Sequence, residues 1–387
     1  MRILLYRWGA YTETDIEKEL KNQGIYVREF IYPVENKHQD EKMEKSMTDM
    51  IQVDKIDAVF SVNYFPVVAK VCNRENIKYI SWSYDAPLNV TNIEETLGFE
   101  TNYVFMFDRL QAEQYICKGY RNVYHLPLAV STDKYDRIVV NEDERKKYSC
   151  DISFVGNLYS DILNLYTSPL TDYQKGYIEA LCQSQKQIYG SYILDELLDD
   201  NFINSINEQY RKVNSETDIV MTKEALSYAM ASNITRNERL TLLGILSKYH
   251  SVCYYSKEQS DILKNARYCG TVDYNTEMPK VFKLSLMNLN ITLKILKSGI
   301  PLRALDIMGC GGMLFSNYQP ELSENFQDGV EAVFYESIED AFEKAQYYLK
   351  DKDKIREISH NGYIKVKENY NYKNRFKQIF NIANINI

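Results

Sequence analysis

The sequence predicts an α/β protein of two domains, each a parallel sheet covered by helices. Three observations predict it. The chain has 387 residues, and at about 100 to 200 residues per domain that length divides into two cores. Short apolar runs alternate with helix-length segments, the pattern of right-handed βαβ crossovers. That alternation occurs twice, on either side of the polar stretch "VSTDKYDRIVVNEDERKKYSC".

Taken in order, "RILLYRW", "IYVREFI", "DAVFSV", "KYISWS", "NYVFMF" and "NVYHLPL" are the expected strands of the first half. Between the first two, "TETDIEKELKNQG" carries a polar cap and a closing glycine, as a helix should. The polar stretch reads as a linker and places the boundary near residue 148. "CDISFVGNLYSD" then opens a second unit with a strand ending in a Gly-Asn turn. Residues of about 160–248 contain no convincing strand but do show helical apolar spacing, so they form a helical insertion. "SVCYYS", "ARYCG", "LSLMNLNIT", "GGMLFSN" and "EAVFY" resume the alternation. The expected domains are therefore 1–148, 149–365 and a C-terminal helix, 366–387, packing back on the first domain. Ligands of such sheets bind at the carboxyl ends of the strands, so the cleft between the two domains is the expected site.

Composition excludes several classes. Forty-six Lys and Arg against 54 Asp and Glu give a net charge of -8 without a basic stripe, which argues against nucleic acid as a partner. Seven dispersed cysteines without a CxxC and only four histidines signal neither a disulfide framework nor a metal site. No apolar stretch reaches the roughly 18 residues of a membrane span, and the N-terminal apolar run is too short for a signal peptide, so no stable membrane insertion and a cytoplasmic location are expected. The 33 tyrosines accompany abundant Asn, Lys and Ile, and most of them are read as compositional.

The segment "GIPLRALDIMGCGGMLFSNYQPEL" concentrates the chemistry. Pro301 suits a first helical turn, and Gly309, Gly311 and Gly312 close the helix before a buried strand. Arg303 and Asp306 lie on one face of an otherwise apolar helix. A local ion pair of about 0.2 to 0.5 kcal/mol is one explanation. The other is a phosphate at residues 298–303, held by free amides and Arg303, with Asp306 one turn deeper accepting ribose hydroxyls. Gly299, Ile300 and Leu302 would line the same donor site. Gly156 and Asn157 end a strand beside it and serve either as lining amides or as a plain turn.

On the first half, Asp85, Trp82 and Tyr84 follow an apolar strand at its cleft end. Asp85 could accept an acceptor proton and Trp82 could stack on a sugar; a turn cap and a half-buried core residue are the alternatives. Gly9 follows the first strand and permits close backbone approach or simply a tight turn.

The run "NLNITLKILKSGIPLRALDIMGCGGMLFSNYQPELSENFQDGVEAVFYESIEDA" resembles the donor-binding segment of bacterial CgeB-like (spore-maturation type) glycosyltransferases of the GT-B fold. "SWSYDAPL", "FDRLQAEQYICKGYRNVYHLPLAV", "CDISFVGNLYSD" and "NGYIKVKENYNYKNRF" are similar to further stretches of that family, in the same order. The resemblance implies two Rossmann-like domains facing a central cleft, and transfer of a sugar from a nucleotide-sugar donor, a UDP-sugar, to a protein, polysaccharide or small-molecule acceptor. It implies retention of configuration, no cofactor and no metal. Lys294 and Arg236 are candidates to neutralise the diphosphate, with solvent exposure the default for any one of the 46 basic residues. In the wider retaining group a glutamate binds the ribose, and its place falls on Asp306; an earlier acidic position falls on Gly299. Glu331 recurs in the resemblance and would pair with Arg303 or touch ligand. Inversion with Asp85 as general base, an epimerase or hydrolase, and a non-catalytic nucleotide-sugar-binding module remain the alternatives.

Overall fold

The computed structural model describes residues 1–88, 90–216 and 218–385. Residues 386 and 387, the end of the expected C-terminal helix, lie outside the described residues. Contacts divide the chain into one unit of Met1–Lys134, Gly299–Leu305 and Lys365–Ile387, and another of Tyr135–Ser298 and Asp306–Ile364. The division at Lys134 and Tyr135 precedes the boundary inferred near residue 148, because the helix Glu142–Tyr148 is tied into the second unit. Its Tyr148 hydroxyl donates to Glu277 at 2.6 Å, and its Glu144 pairs with Lys280.

The first unit contains β1 (Arg2–Arg7), β2 (Tyr26–Ile31), β3 (Ala58–Val62), β4 (Lys78–Ser83), β5 (Asn102–Met106) and β6 (Val123–His125) in the order β2-β1-β3-β4-β5-β6. The second contains β7 (Cys150–Val155), β8 (Val252–Tyr255), β9 (Arg267–Tyr268), β10 (Ser285–Asn290), β11 (Leu314–Asn317) and β12 (Val333–Tyr335) in the order β12-β11-β10-β7-β8-β9. Every pairing between them is parallel. All twelve strands fall in the apolar runs identified above.

Parallel strands are covered on both faces, and their composition follows from that. Every residue of β3 is buried, and Leu4, Tyr6, Val59, Tyr79 and Val104 belong to one core. The helix Tyr372–Ile382, capped by Asn371, completes that unit: Phe376 packs 5.6 Å from Phe60 and 6.3 Å from Trp82 between ring centroids. In the second unit the helices Ile162–Thr167, Asp172–Lys186, Leu194–Leu197, Asp200–Val213 and Lys223–Leu246 enclose their own cluster, with Leu163, Ile178, Ile206 and Ile234 inside. No helix among the described residues is long and apolar enough to cross a membrane.

Each sheet reverses its winding once, and a crevice opens where it does. In the first unit this falls between the carboxyl ends of β1 and β3; in the second, between β7 and β10.

Candidate functional site

At the β7/β10 crevice the two strand ends are tied together by Arg239, from the buried middle of the helix Lys223–Leu246. Its guanidinium donates one N–H to the Asn157 carbonyl and another to the Ile291 carbonyl. Phe154 and Tyr159 flank it, their ring centroids 5.2 and 4.8 Å from the guanidinium carbon. The preceding residue, Glu238, is also buried and faces Lys294 at 3.1 Å, while Tyr189 donates to its other oxygen at 3.3 Å. Asn290 and Asn317 complete the rim: the Asn290 amide donates to Ser316 Oγ at 2.9 Å, and Asn317 Oδ1 accepts the Thr292 N–H at 2.8 Å. Buried charges that are paired and hydrogen-bonded hold their geometry, so this crevice is preorganised.

Asp306 lies on the helix Leu302–Gly309 and retains only 1% of its surface. Its Oδ1 accepts the hydroxyl of Tyr135 at 2.8 Å and that of Tyr274 at 2.9 Å. Burial, reinforced by the Asp306 charge, holds the Tyr135 phenol well above its ordinary pKa, so it stays a donor. Tyr274 differs in being half-buried and on the loop after β9, where Asp273 Oδ1 orders the turn by accepting the Thr276 N–H at 2.8 Å. Beyond the helix, Gly311 has φ +77°, and a Cβ on Gly312 would stand 2.7 Å from the Phe282 carbonyl oxygen. The glycines thus let the chain turn tightly into β11.

In the first unit the β1/β3 crevice is open. Trp8 follows β1, its Nε1–H donates to the Val62 carbonyl at 2.8 Å, and its side chain is 41% exposed. Gly9, with φ +101°, and Trp8 both send their N–H groups to Glu13 Oε1, at 3.2 and 2.9 Å. Asn63, in the left-handed region at φ +65°, follows β3. Its Oδ1 accepts the Tyr84 N–H at 2.7 Å, and its Nδ2 donates to the exposed Asp85 carboxylate at 2.8 Å. Although the residue is exposed, partial loss of solvent around its carboxylate raises the Asp85 pKa above its ordinary value, against the opposing pull of Lys37 and Asn63. Trp8 and Asp85 are thus fixed to consecutive residues, Val62 and Asn63.

The other predicted residues take varied places. Trp82 is a correction: it has no exposed surface, packs on Tyr84, Tyr372 and Phe376, and donates to the Leu126 carbonyl at 3.3 Å, so no ring face is left for a sugar. Lys294, expected at a diphosphate, is engaged by Glu238 instead. Arg236 donates to the Tyr159 carbonyl at 2.7 Å. Gly156 is half-buried, and Asn157 is exposed with its carbonyl held by Arg239. Gly299 donates its N–H to Asp108 at 3.3 Å, and a Cβ there would lie 2.9 Å from the Phe107 ring, which is why no acidic side chain fits. Ile300 is buried and Leu302 half-buried, while Arg303 lies in the first helical turn. Glu331 accepts the Gln327 N–H at 2.6 Å.

Sequence inspection missed Trp8, Tyr135, Glu238, Arg239 and Tyr274. Glu238 and Arg239 did carry a signal, since their helix is apolar on most faces and a charged pair in its middle must be buried. Among the described residues no group of three or more His, Cys, Asp or Glu is placed to hold a metal ion.

Residues 223–381, which include Glu238, Arg239, Tyr274 and Asp306, match the family model described as glycosyl transferase-like. No curated protein sequence matches the chain. Among solved structures, Anabaena Alr3699/HepE in complex with UDP-glucose is 10% identical with a TM-score of 0.55, covering 99% of each chain. Sucrose-phosphate synthase from Thermosynechococcus elongatus is 13% identical with a TM-score of 0.52, covering 99% of this chain and 98% of that one. A putative UDP-N-acetylglucosamine 2-epimerase from Listeria monocytogenes is 8% identical with a TM-score of 0.50, covering 98% and 94%. The shared architecture is the GT-B fold, two Rossmann-like units each with a parallel six-stranded sheet.

Proposed function

We propose that this protein is a glycosyltransferase of the CgeB-like type that moves a sugar from a UDP-sugar to a hydroxyl acceptor. The observation that carries the reading is Asp306: a buried carboxylate, inside the glycosyl transferase-like segment, whose Oδ1 already accepts two O–H donors. Ribose hydroxyls are donors of the same kind. The half-buried Tyr274 hydroxyl is thus a placeholder that a ribose hydroxyl replaces, and the carboxylate never stands as an uncompensated buried charge. The phosphates are assigned to the first turn of the same helix, where the positive end of the helix dipole and Arg303 favour an anion.

The first unit supplies the acceptor chemistry. Trp8 offers an indole surface for a sugar, and Asp85, its pKa raised above the ordinary value by loss of solvent, is the group suited to take a hydroxyl proton if configuration inverts. With retention, the donor phosphate takes that proton and Asp85 orients the acceptor. The seven cysteines, all free, suit a reducing compartment, and we place the reaction in the cytoplasm.

Titration calorimetry with UDP, followed by UDP-sugar turnover with and without an acceptor panel, tests the reading. UDP binding and acceptor-dependent turnover are expected, and the product anomer then decides between retention and inversion. Turnover without acceptor would instead make the protein an epimerase or hydrolase, in line with the epimerase among its structural neighbours. Binding without any turnover would make it a sensing module.

A further inference from the structure

A groove of about 450 Å³ lies among three helices of the insertion, Ile162–Thr167, Asp172–Lys186 and Lys223–Leu246, all within the second unit. Its size is that of a ligand-binding cleft. The floor is aliphatic: Leu163, Ile178 and Ile234, one from each helix, are buried. The walls are polar. Asn164, Gln183 and Asn237, again one from each helix, are exposed and bring primary amides around that floor. Lys175, Glu179 and Lys186 add charges of both signs to the rim.

This lining sorts the ligands it can take. A phosphate needs a cluster of cations, and here Glu179 offsets one of the two lysines. A nucleobase needs a ring to stack on, and among the described residues no aromatic side chain lines the groove. An extended peptide needs partners in a row along its backbone, whereas these amides come from three separate helices around one floor. A pyranose fits on each count. Its C–H face suits an aliphatic floor, and its hydroxyls, each both donor and acceptor, suit primary amides that also offer both.

The long helix ties the groove to the β7/β10 crevice. Asn233, on the groove wall, donates to Asp161 Oδ1 at 3.3 Å, Arg236 donates to the Tyr159 carbonyl at 2.7 Å, and Arg239 donates to the Asn157 carbonyl. Every third residue of the helix thus holds every second residue of the loop after β7. At the α-helical rise, Asn233 lies about 9 Å along the axis from Arg239.

We propose that this groove binds a neutral oligosaccharide, and that the saccharide seated there is the non-reacting part of the acceptor. The acceptor role rests on the glycosyltransferase reading; the saccharide site does not. The acceptor is therefore a glycan chain, and a bare peptide lacks the part that the groove holds.

The test is binding of the whole protein to an array of bacterial glycans, with the bound glycan then located by hydrogen–deuterium exchange. Binding is expected, with slowed exchange in residues 162–168, 175–186 and 233–237. The double variant Gln183→Ala, Asn237→Ala is expected to bind that glycan about tenfold more weakly. Both side chains are exposed, so the core is spared, and circular dichroism checks the fold. Failure to bind any glycan, protection confined to the β1/β3 crevice, an unchanged affinity in the folded double variant, or protection of the groove by peptides in place of glycans would each overturn the proposal. In turnover assays the double variant is expected to raise the KM for the bound glycan about tenfold, without a matching loss of kcat or a change in the KM for the UDP-sugar. A KM that does not move would overturn the acceptor role. Glycan binding at the groove without UDP-sugar turnover would instead defeat the glycosyltransferase reading and leave the saccharide site standing.

Discussion

The two crevices at which the sheets reverse direction are built in opposite ways. The β7/β10 crevice is filled by charge taken out of water: Arg239 holds two strand-end carbonyls, Glu238 holds Lys294, and all three side chains are buried. The β1/β3 crevice keeps its groups at the surface, with Trp8 and Asp85 exposed and tethered by Val62 and Asn63. Buried polar groups resist reorganisation because leaving any of them unpaired is costly, whereas surface groups adapt to whatever binds. That difference matches the roles proposed above, a preorganised site for the donor in one unit and an adaptable surface for the acceptor in the other.

The largest expected effect breaks the buried side of that comparison. Glu238→Ala strands Lys294 without its anion and should lower stability by about 3 to 5 kcal/mol in urea unfolding. A loss near that of a surface substitution would mean that the crevice is not held by charge. On the open side, Asp85→Asn should reduce kcat by about 10² to 10⁴-fold if Asp85 is the general base, leaving UDP affinity unchanged.

The pH dependence of the same residue sharpens the contrast. Its base form is the carboxylate and its pKa is raised, so kcat/KM should fall as pH drops through a value above the ordinary 3.8. For stability the sign reverses. The fold favours the neutral carboxyl, so that contribution is full below the unfolded-state pKa and is lost as pH rises through the folded one. Asp85→Asn should therefore leave the Tm at neutral pH no lower than wild type.

Asp306→Ala should weaken UDP binding by about 1 to 3 kcal/mol in calorimetry, and an unchanged Kd in a folded variant would remove the ribose assignment. The smallest change is Tyr274→Phe. If the Tyr274 hydroxyl is displaced by ribose, removing it should tighten UDP binding by about 1 kcal/mol, since one hydrogen bond no longer has to be exchanged. Weaker binding would instead make Tyr274 a direct ligand contact.

All twelve strands were legible because parallel strands buried on both faces are nearly continuous apolar runs, a property of local composition. Asp306 stood out as well, because a carboxylate on an otherwise apolar helix calls for a partner. Its partners did not. Tyr135 and Tyr274 are 171 and 32 residues away from it, and two tyrosines among 33 carry no local mark.

Trp82 and Trp8 show the same limit from the other direction. Trp82 lies near the end of β4 and Trp8 directly follows β1, and the sequence favoured Trp82 because it stands near Asp85. In the folded chain, Phe376 and Tyr372 of the C-terminal helix cover Trp82, while Trp8 remains at the open crevice. The sequence by itself determined the α/β class, the two parallel sheets and the helical insertion, since each rests on periodicity within a short window. Only the tertiary structure decided which charges are buried together, which tryptophan meets solvent, and which donors occupy Asp306. Those outcomes depend on contacts between residues far apart in the chain, and burial energies that no local pattern records.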